Sequence, residues 1–406
     1  MVFLRSRCKY VAVLYLLFAA VCAGADDHSP LDLRSIPISD WLNAGDHEDV
    51  RWDFHVREAI LRVDQRLEVS YTVRIASKDL NRTGKEHELF LVSRVSSPDG
   101  EWLLEPSILR HTLEGELPKN AQAEFLVRVV MQPGEYLLWV TLYDRKTGKH
   151  NVAKHRVRVP ELRGDPLPDL YRRTPLVEFP LDSEENDSNG IKFVNSRLYL
   201  PVHNRRPLHV ELISMLSPPE QWAGRARVLR THNDTTVGAL SALSQLNLSG
   251  GSLSITGLDL MRRQIIFEQQ TDTGLKWQSF LEAMKKAQSL DISTQALQGS
   301  KNNGAFFRDV LSQRIVSGPE DSDGMRVIIV VTSAQLFESG SDLRPLQIEG
   351  DCNCRVYYLR FRLNVNDVFD QLDKLMKPLR PRTFNLMSAL DLRKAIAEIV
   401  EDLGKL

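Results

Sequence analysis

Apolar and polar residues alternate along the first half of the chain. Trp52, Phe54 and Val56 are spaced by Asp53 and His55, and Leu67, Val69, Tyr71, Val73 and Ile75 alternate with Glu68, Ser70, Thr72 and Arg74. Successive side chains of a strand point to opposite faces, so a period of two predicts strands buried on one face. Leu89 to Val95 predicts another, ending at the turn Pro98-Asp99-Gly100. Phe125, Val127, Val129 and Met131 run into Pro133-Gly134, and Tyr136, Leu138, Val140 and Leu142 run into a turn at 144–148. Arg156 to Val159 closes the set. About seven short strands punctuated in this way predict an antiparallel β-sandwich of immunoglobulin-like type over residues 34–160. No cysteine pair lies there to pin two sheets together, so its core must rest on apolar burial.

The pattern breaks over residues 161–194. Pro166, Pro168, Pro175 and Pro180 interrupt regular structure, and Asp182, Glu184, Glu185 and Asp187 precede an Asn189-Gly190 turn signal. This stretch reads as a Pro-rich linker. Within it, Arg163-Gly164-Asp165 matches the integrin-binding tripeptide, a three-residue signal of low specificity.

From 195 to 406, strand-like runs alternate with helical spacing. Leu208–Met215, Leu253–Leu260, Gln264–Phe267, Met325–Thr332 and Arg355–Leu363 predict strands. Val237, Leu240 and Leu243, then Trp277, Phe280, Leu281 and Met284, then Phe306, Phe307, Val310 and Leu311 follow helical spacing. Val368, Leu372 and Leu375 suggest a further helix, and Lys374 to Arg382 reads as a basic linker. Ser388 and Asp391 form a capping box before Leu392, Ala395, Ile396, Ile399 and Val400. The alternation predicts a doubly wound, Rossmann-like α/β domain with a hairpin at one edge.

Length and composition narrow the class. A chain of 406 residues suggests two or three domains, and 42% hydrophobic with 26% charged residues argues against wholesale disorder. Lys plus Arg number 52 against 53 Asp plus Glu, so no basic excess points to nucleic acid. Arg5, Arg7 and Lys9 precede an apolar run from Tyr10 to Val21 that is too short to span a membrane, and Ala23-Gly24-Ala25 offers small residues for cleavage. Residues 1–25 therefore read as a secretory signal, with a retained anchor or a lipoprotein at Cys22 as alternatives. Export to the periplasm or beyond follows, with no stable membrane insertion of the mature chain.

The segments Leu253 to Phe267 with the turn Asp259-Leu260-Met261-Arg262-Arg263, Leu290-Asp291-Ile292, Ala305-Phe306-Phe307, Phe337-Glu338-Ser339-Gly340, Cys354-Arg355-Val356-Tyr357-Tyr358 and Lys377 to Phe384 carry a resemblance. Over residues 195–404 the chain resembles the von Willebrand factor A (VWA) domain, and more closely the VWFA-related proteins exported by some bacteria. The resemblance implies a VWA-like α/β fold behind a β-domain, and no particular activity. VWA domains that bind ligand through a metal use Asp-x-Ser-x-Ser after the first strand, a Thr from a later loop and an Asp after the fourth strand. Here the matching positions hold Met215, Ser217 and Pro219, then Lys301 within Gly299-Ser300-Lys301-Asn302, then Ser333 within Thr332-Ser333-Ala334. A thioether suits a hard cation poorly, and a lysine would repel one by roughly 1–4 kcal/mol at ~4 Å. The sequence therefore predicts no metal-dependent adhesion site and no cofactor. Ser217, Ser300, Lys301, Asn302, Thr332 and Ser333 remain candidates for a ligand face, with Lys301 filling the vacated cation position or lying on a solvated loop.

Other chemistry is sparse. Cys352-Asn353-Cys354 places two cysteines about 6.6 Å apart if extended, as a strained disulfide, a thiol pair or a loop clip, which makes them redox candidates. His150 and His155 are separated by an odd number of strand positions, face opposite sides and make no metal pair. No catalytic motif emerges. The sequence reading is an exported, non-enzymatic binding or scaffolding protein whose partner is another protein of the cell envelope, with a redox-active or purely structural envelope protein as the alternative.

Overall fold

The computed structural model describes residues 36–180, 194–217, 226–271, 274–288, 299–316, 324–347, 354–362 and 370–406. The expected signal at 1–25 and Cys352 lie outside them.

The first unit is two antiparallel sheets. Its strands are β1 (His47–Glu48), β2 (Asp53–Val56), β3 (Ile60–Leu61), β4 (Leu67–Ala76), β5 (His87–Ser96), β6 (Ser107–Leu113), β7 (Gln122–Met131), β8 (Gly134–Asp144), β9 (His150–Val159) and β10 (Val177–Glu178). One sheet runs β1-β9-β8-β5-β6; the other runs β10-β7-β4-β2, with β3 also on β4. The apolar stretches read from the sequence lie in β4, β5, β7 and β8, and in β7 buried and more exposed positions alternate along the strand. Phe125 and Val127 are buried, whereas Leu126 between them is 45% exposed. The core joins Val69, Tyr71 and Val73 to Leu91, Phe125, Val129, Leu138 and Val140. A short helix, α1 (Ile38–Ala44), packs Ile38 and Leu42 against Val92 and Val152 on the outer face of the first sheet. Helix α1 and strands β1, β3 and β6 carry no period strong enough to mark them in the sequence.

The second unit is an α/β layer structure. Its strands are β11 (Leu200–Val202), β12 (Leu208–Met215), β13 (Leu246–Leu248), β14 (Gly251–Asp259), β15 (Gln264–Thr271), β16 (Met325–Ser333), β17 (Cys354–Phe361) and β18 (Arg382–Leu386). The main sheet runs β15-β14-β12-β16-β17-β18, parallel except for the β14–β15 hairpin. β11 and β13 form a separate parallel pair. Besides α1, the described α-helices are α2 (Ser77–Leu80) in the first unit and α3 (Ala226–Leu243), α4 (Trp277–Gln288), α5 (Asn303–Val316), α6 (Leu372–Met376) and α7 (Ala389–Gly404) in the second. In β16, Val327, Ile329 and Val331 face the core shared with α3, α4 and α7, while Ile328 and Val330 face α5 and α6. A continuous apolar run is what burial on both faces requires. Helix α7 starts as the capping box predicts: Ser388 Oγ accepts from the Asp391 N–H at 3.2 Å. The basic run Lys374 to Arg382 is not wholly a linker: its first residues lie in α6, and its last opens β18, a parallel edge strand on β17.

Residues 161–180 are not a solvated tether. Leu170, Tyr171 and Val177 find burial between the prolines, and β10 pairs with β7. One apolar core runs from Val69 and Phe125 through Leu170, Leu198 and Val202 to Ile396 and Ile399. At its centre Arg393 of α7 has no solvent exposure. Its Nε donates to Asp165 at 2.6 Å, and its Nη2 donates to Asp165 and Leu167 O. Its Nη1 donates to Tyr171 Oη at 3.2 Å and Gln65 O at 3.4 Å. Burial pushes the Asp165 carboxyl up, but the Arg393 and Leu167 hydrogen bonds outweigh this and hold it below its ordinary value. The Asp of the Arg163-Gly164-Asp165 tripeptide is thus an internal ion-pair partner. Gln65 holds a left-handed φ of 68° and donates through Nε2 to Ala389 O. The turn it occupies presses on α3 at Gly238, where a Cβ would stand 2.9 Å from Val63 Cβ. Any larger residue at 238 would push the two units apart.

Candidate functional site

In an open, mostly parallel sheet the ligand crevice lies beyond the carboxyl ends of the strands, where neighbouring connections diverge. β12 is first in sequence among the six strands and lies between β14 and β16, so its end is that point.

The six sequence candidates separate here into two sets. Ser217, Thr332 and Ser333 are 2%, 0% and 1% exposed and are bonded internally. The Leu260 N–H donates to Ser217 Oγ at 2.9 Å, which ties the end of β12 to the β14–β15 turn. Gln335 Nε2 donates to Thr332 Oγ1 at 3.1 Å. Ser333 Oγ lies 2.8 Å from His232 Nδ1 of α3. Met215 is fully buried at the last position of β12. These hydroxyls close the top of the sheet and do not reach solvent, which corrects their place on an exposed ligand face.

His232 escaped the sequence reading, since a lone histidine in a helical stretch carries no spacing signal. It has no solvent exposure, and burial drives its pKa down to about 4 against weaker opposing contributions from the backbone of Met215 and Ser217. The ring is therefore neutral near pH 7. A histidine beside a serine suggests an activated nucleophile, but such a pair also needs an orienting group and a route for substrate. Ser333 is only 1% exposed, and among the described residues His232 Nε2 has no hydrogen-bond partner.

The carboxylates at this end are already engaged. Asp259 accepts from Arg262 N at 3.0 Å and Arg262 Nη1 at 2.6 Å. Asp370 accepts from Gln335 N at 3.0 Å, from Tyr358 Oη at 2.6 Å and from Arg360 at 3.3 Å. Burial and the adjacent Asp370 charge raise the Asp373 carboxyl despite Arg360. Among the described residues, this end presents no set of uncommitted oxygens suited to a hard cation.

Ser300, Lys301 and Asn302 form a single 3-10 turn before α5, and Lys301 and Asn302 are exposed. Below them, the Arg263 guanidinium packs on Gly299, where a Cβ would stand 2.3 Å from Nη2. Ser300 Oγ donates to Glu338, and the Asp342 N–H reaches Lys301 O at 3.4 Å. The Lys301 stem lies beside Gly340. Hydrogen bonds from Arg344 and Arg308 hold the Asp342 carboxyl well below its ordinary range. Lys301 thus sits on a solvated loop and fills no interior position.

Cys354 opens β17 and is disulfide-bonded, while Cys8, Cys22 and Cys352 lie outside the described residues. Its sulfur is therefore not a free thiolate for exchange.

No family model matches the chain, and no curated protein matches it. Among solved structures, an ApaA candidate from Bordetella pertussis is similar at 12% identity and TM-score 0.18, over 28% of this chain and 97% of its own. A β-glucosidase from Listeria innocua is similar at 10% identity and TM-score 0.18, over 28% of this chain and 17% of its own. β-Glucosidase 3B from Thermotoga neapolitana is similar at 13% identity and TM-score 0.17, over 28% and 16%. Scores this low carry no argument about fold or function. No helix among the described residues is long and apolar enough to cross a membrane.

Proposed function

We propose that this chain is an exported, non-enzymatic protein-binding or scaffolding protein of the bacterial cell envelope. In this reading an immunoglobulin-like sandwich carries a VWA-like domain that lacks the metal-dependent adhesion site. The observation that carries it is the division at the carboxyl end of the main sheet. The side chains of Ser217, Thr332 and Ser333 beneath are sealed and bonded internally, while two touching loops above them expose Lys301, Asn302, Glu338 and Arg344. The strand order with its edge hairpin supports the VWA-like assignment. The Arg393 joint supports a scaffold, because it holds the loops on a frame continuous with the sandwich. The basic and apolar pattern at 1–25 and the disulfide at Cys354 support export to an oxidising compartment.

The test is capture from a native envelope extract on the immobilised chain, in EDTA and then in Mg²⁺, with wild type, Lys301→Glu and Arg344→Glu as baits. A saturable protein partner retained in EDTA and lost with Lys301→Glu is the expected result. Capture only in Mg²⁺ would restore the metal-dependent reading. Capture indifferent to both substitutions would move the binding surface away from these loops.

A further inference from the structure

The outer face of the first sheet carries a cluster that belongs to neither reading of the chain above. β1 pairs with β9 so that His47 meets Val152 and Glu48 meets Asn151, and continuing the register sets Asp49 opposite His150. Residues two apart on a strand share a face, so His47 and Asp49 point the same way. His47 Nε2 lies 2.9 Å from Asp49 Oδ1, and His150 Nδ1 lies 3.5 Å from Asp49 Oδ2. One donor atom from each residue lies within 4.8 Å of the other two.

The cluster is held from behind. Asn151 has no solvent exposure; its Oδ1 accepts from Asp49 N at 2.9 Å and Val50 N at 3.0 Å, and its Nδ2 donates to Val50 O at 2.6 Å. These bonds fix the chain carrying Asp49 onto β9. Trp41 of α1 stacks on the His150 ring at 4.0 Å and 10°, and His47 stacks on that ring at 4.5 Å. Helix α1 anchors Trp41 through the buried Ile38 and Leu42.

We propose that His47, Asp49 and His150 form a binding site for a divalent transition-metal ion of the zinc class, with coordination positions left open to solvent. Two imidazoles and one carboxylate are the donors that Zn²⁺, Ni²⁺ and Cu²⁺ take. Mg²⁺ and Ca²⁺ need a shell of oxygens, and a single carboxylate does not supply one. The side chains of His47, Asp49 and His150 are 46%, 33% and 19% exposed, so an ion held there keeps room for water or for a donor from another molecule. The more exposed His47 supplies the movement that draws the nitrogens in to about 2.0–2.1 Å from the ion.

The test is calorimetric titration of the untagged full chain with Zn²⁺ and Ni²⁺, with Mg²⁺ as competitor. Wild type, His47→Gln, His150→Gln and His155→Gln are compared. His155 lies on the same strand, and its ring meets Phe54 instead of this cluster. The expected result is one saturable site whose affinity falls at least tenfold in His47→Gln and in His150→Gln. It should be unchanged in His155→Gln and indifferent to Mg²⁺. Thermal melts read the same site independently: Zn²⁺ raises the midpoint of wild type and not of His47→Gln, while both melt alike in EDTA. No saturable binding, equal binding in all variants, or displacement by Mg²⁺ each overturns the proposal.

Discussion

His232 and His150 show how one side chain takes two characters in one chain. His232 sits under the carboxyl end of the main sheet, has no solvent exposure and meets a buried serine. His150 sits on the outer face of the sandwich, half-buried, between an indole and a carboxylate. Fold-level analogy directs attention to the first place, yet its polar side chains are sealed from solvent. The second place has no such precedent and holds the side chains with donor atoms near solvent. Location on a fold is thus a weaker guide to chemistry than the solvation and commitment of each group.

The comparison can be broken at several levels, the joint between the regions first. Arg393→Ala strips a buried cation from Asp165, Tyr171 and Gln65 and is expected to lower stability by about 3–5 kcal/mol, read by urea unfolding. The same unfolding should no longer be one cooperative transition. An unchanged midpoint would show that the two units do not depend on this ion pair.

Next comes the state of the buried histidine. Its folded pKa of about 4 lies below the ordinary 6.5, so between these values the unfolded chain binds a proton there that the folded chain does not. Stability is therefore complete above pH 6.5 and falls as pH drops toward 4, by roughly 3 kcal/mol in total from this group. His232→Gln should flatten that part of the pH–stability curve. A slope identical in wild type and variant would mean the ring is already charged or exposed.

The two sets of sequence candidates should then separate. Ser217→Ala leaves the Leu260 N–H buried without an acceptor, an expected loss of about 1–3 kcal/mol. Lys301→Ala, on the surface of the same end, should stay within about 0.5 kcal/mol. Equal losses would erase the distinction between sealed and exposed positions. The smallest stability effect is expected at His47→Gln, also within about 0.5 kcal/mol in EDTA, with the consequence confined to metal binding.

Much of the secondary structure could be read directly from the order of residues. The period of two at 67–75 and the unbroken run at 325–332 locate β4 and β16, because an apolar core against one face or against both dictates such patterns whatever the partners are. Ser388 and Asp391 mark the start of α7 because capping is local. Strand β18 begins at the last residue of a basic, proline-bearing run and is only five residues long, too short to show a period. Helix α1 is two turns long, too short to show a period.

The sites belong to tertiary structure. Sequence spacing set His150 against His155, five positions away, whereas the fold brings His150 to Asp49, 101 positions away, through a two-residue strand. Asp165 reads as part of a surface tripeptide until Arg393, 228 positions later, closes on it. Ser217 and Lys301 are both ligand-face candidates in the sequence, yet one is sealed under a turn and the other stands in water. Local pattern is dictated by which face of an element must leave water, and that is written in each segment. Donor geometry, burial of a charge and access for a ligand depend on which distant segments meet, and only the packed chain decides that.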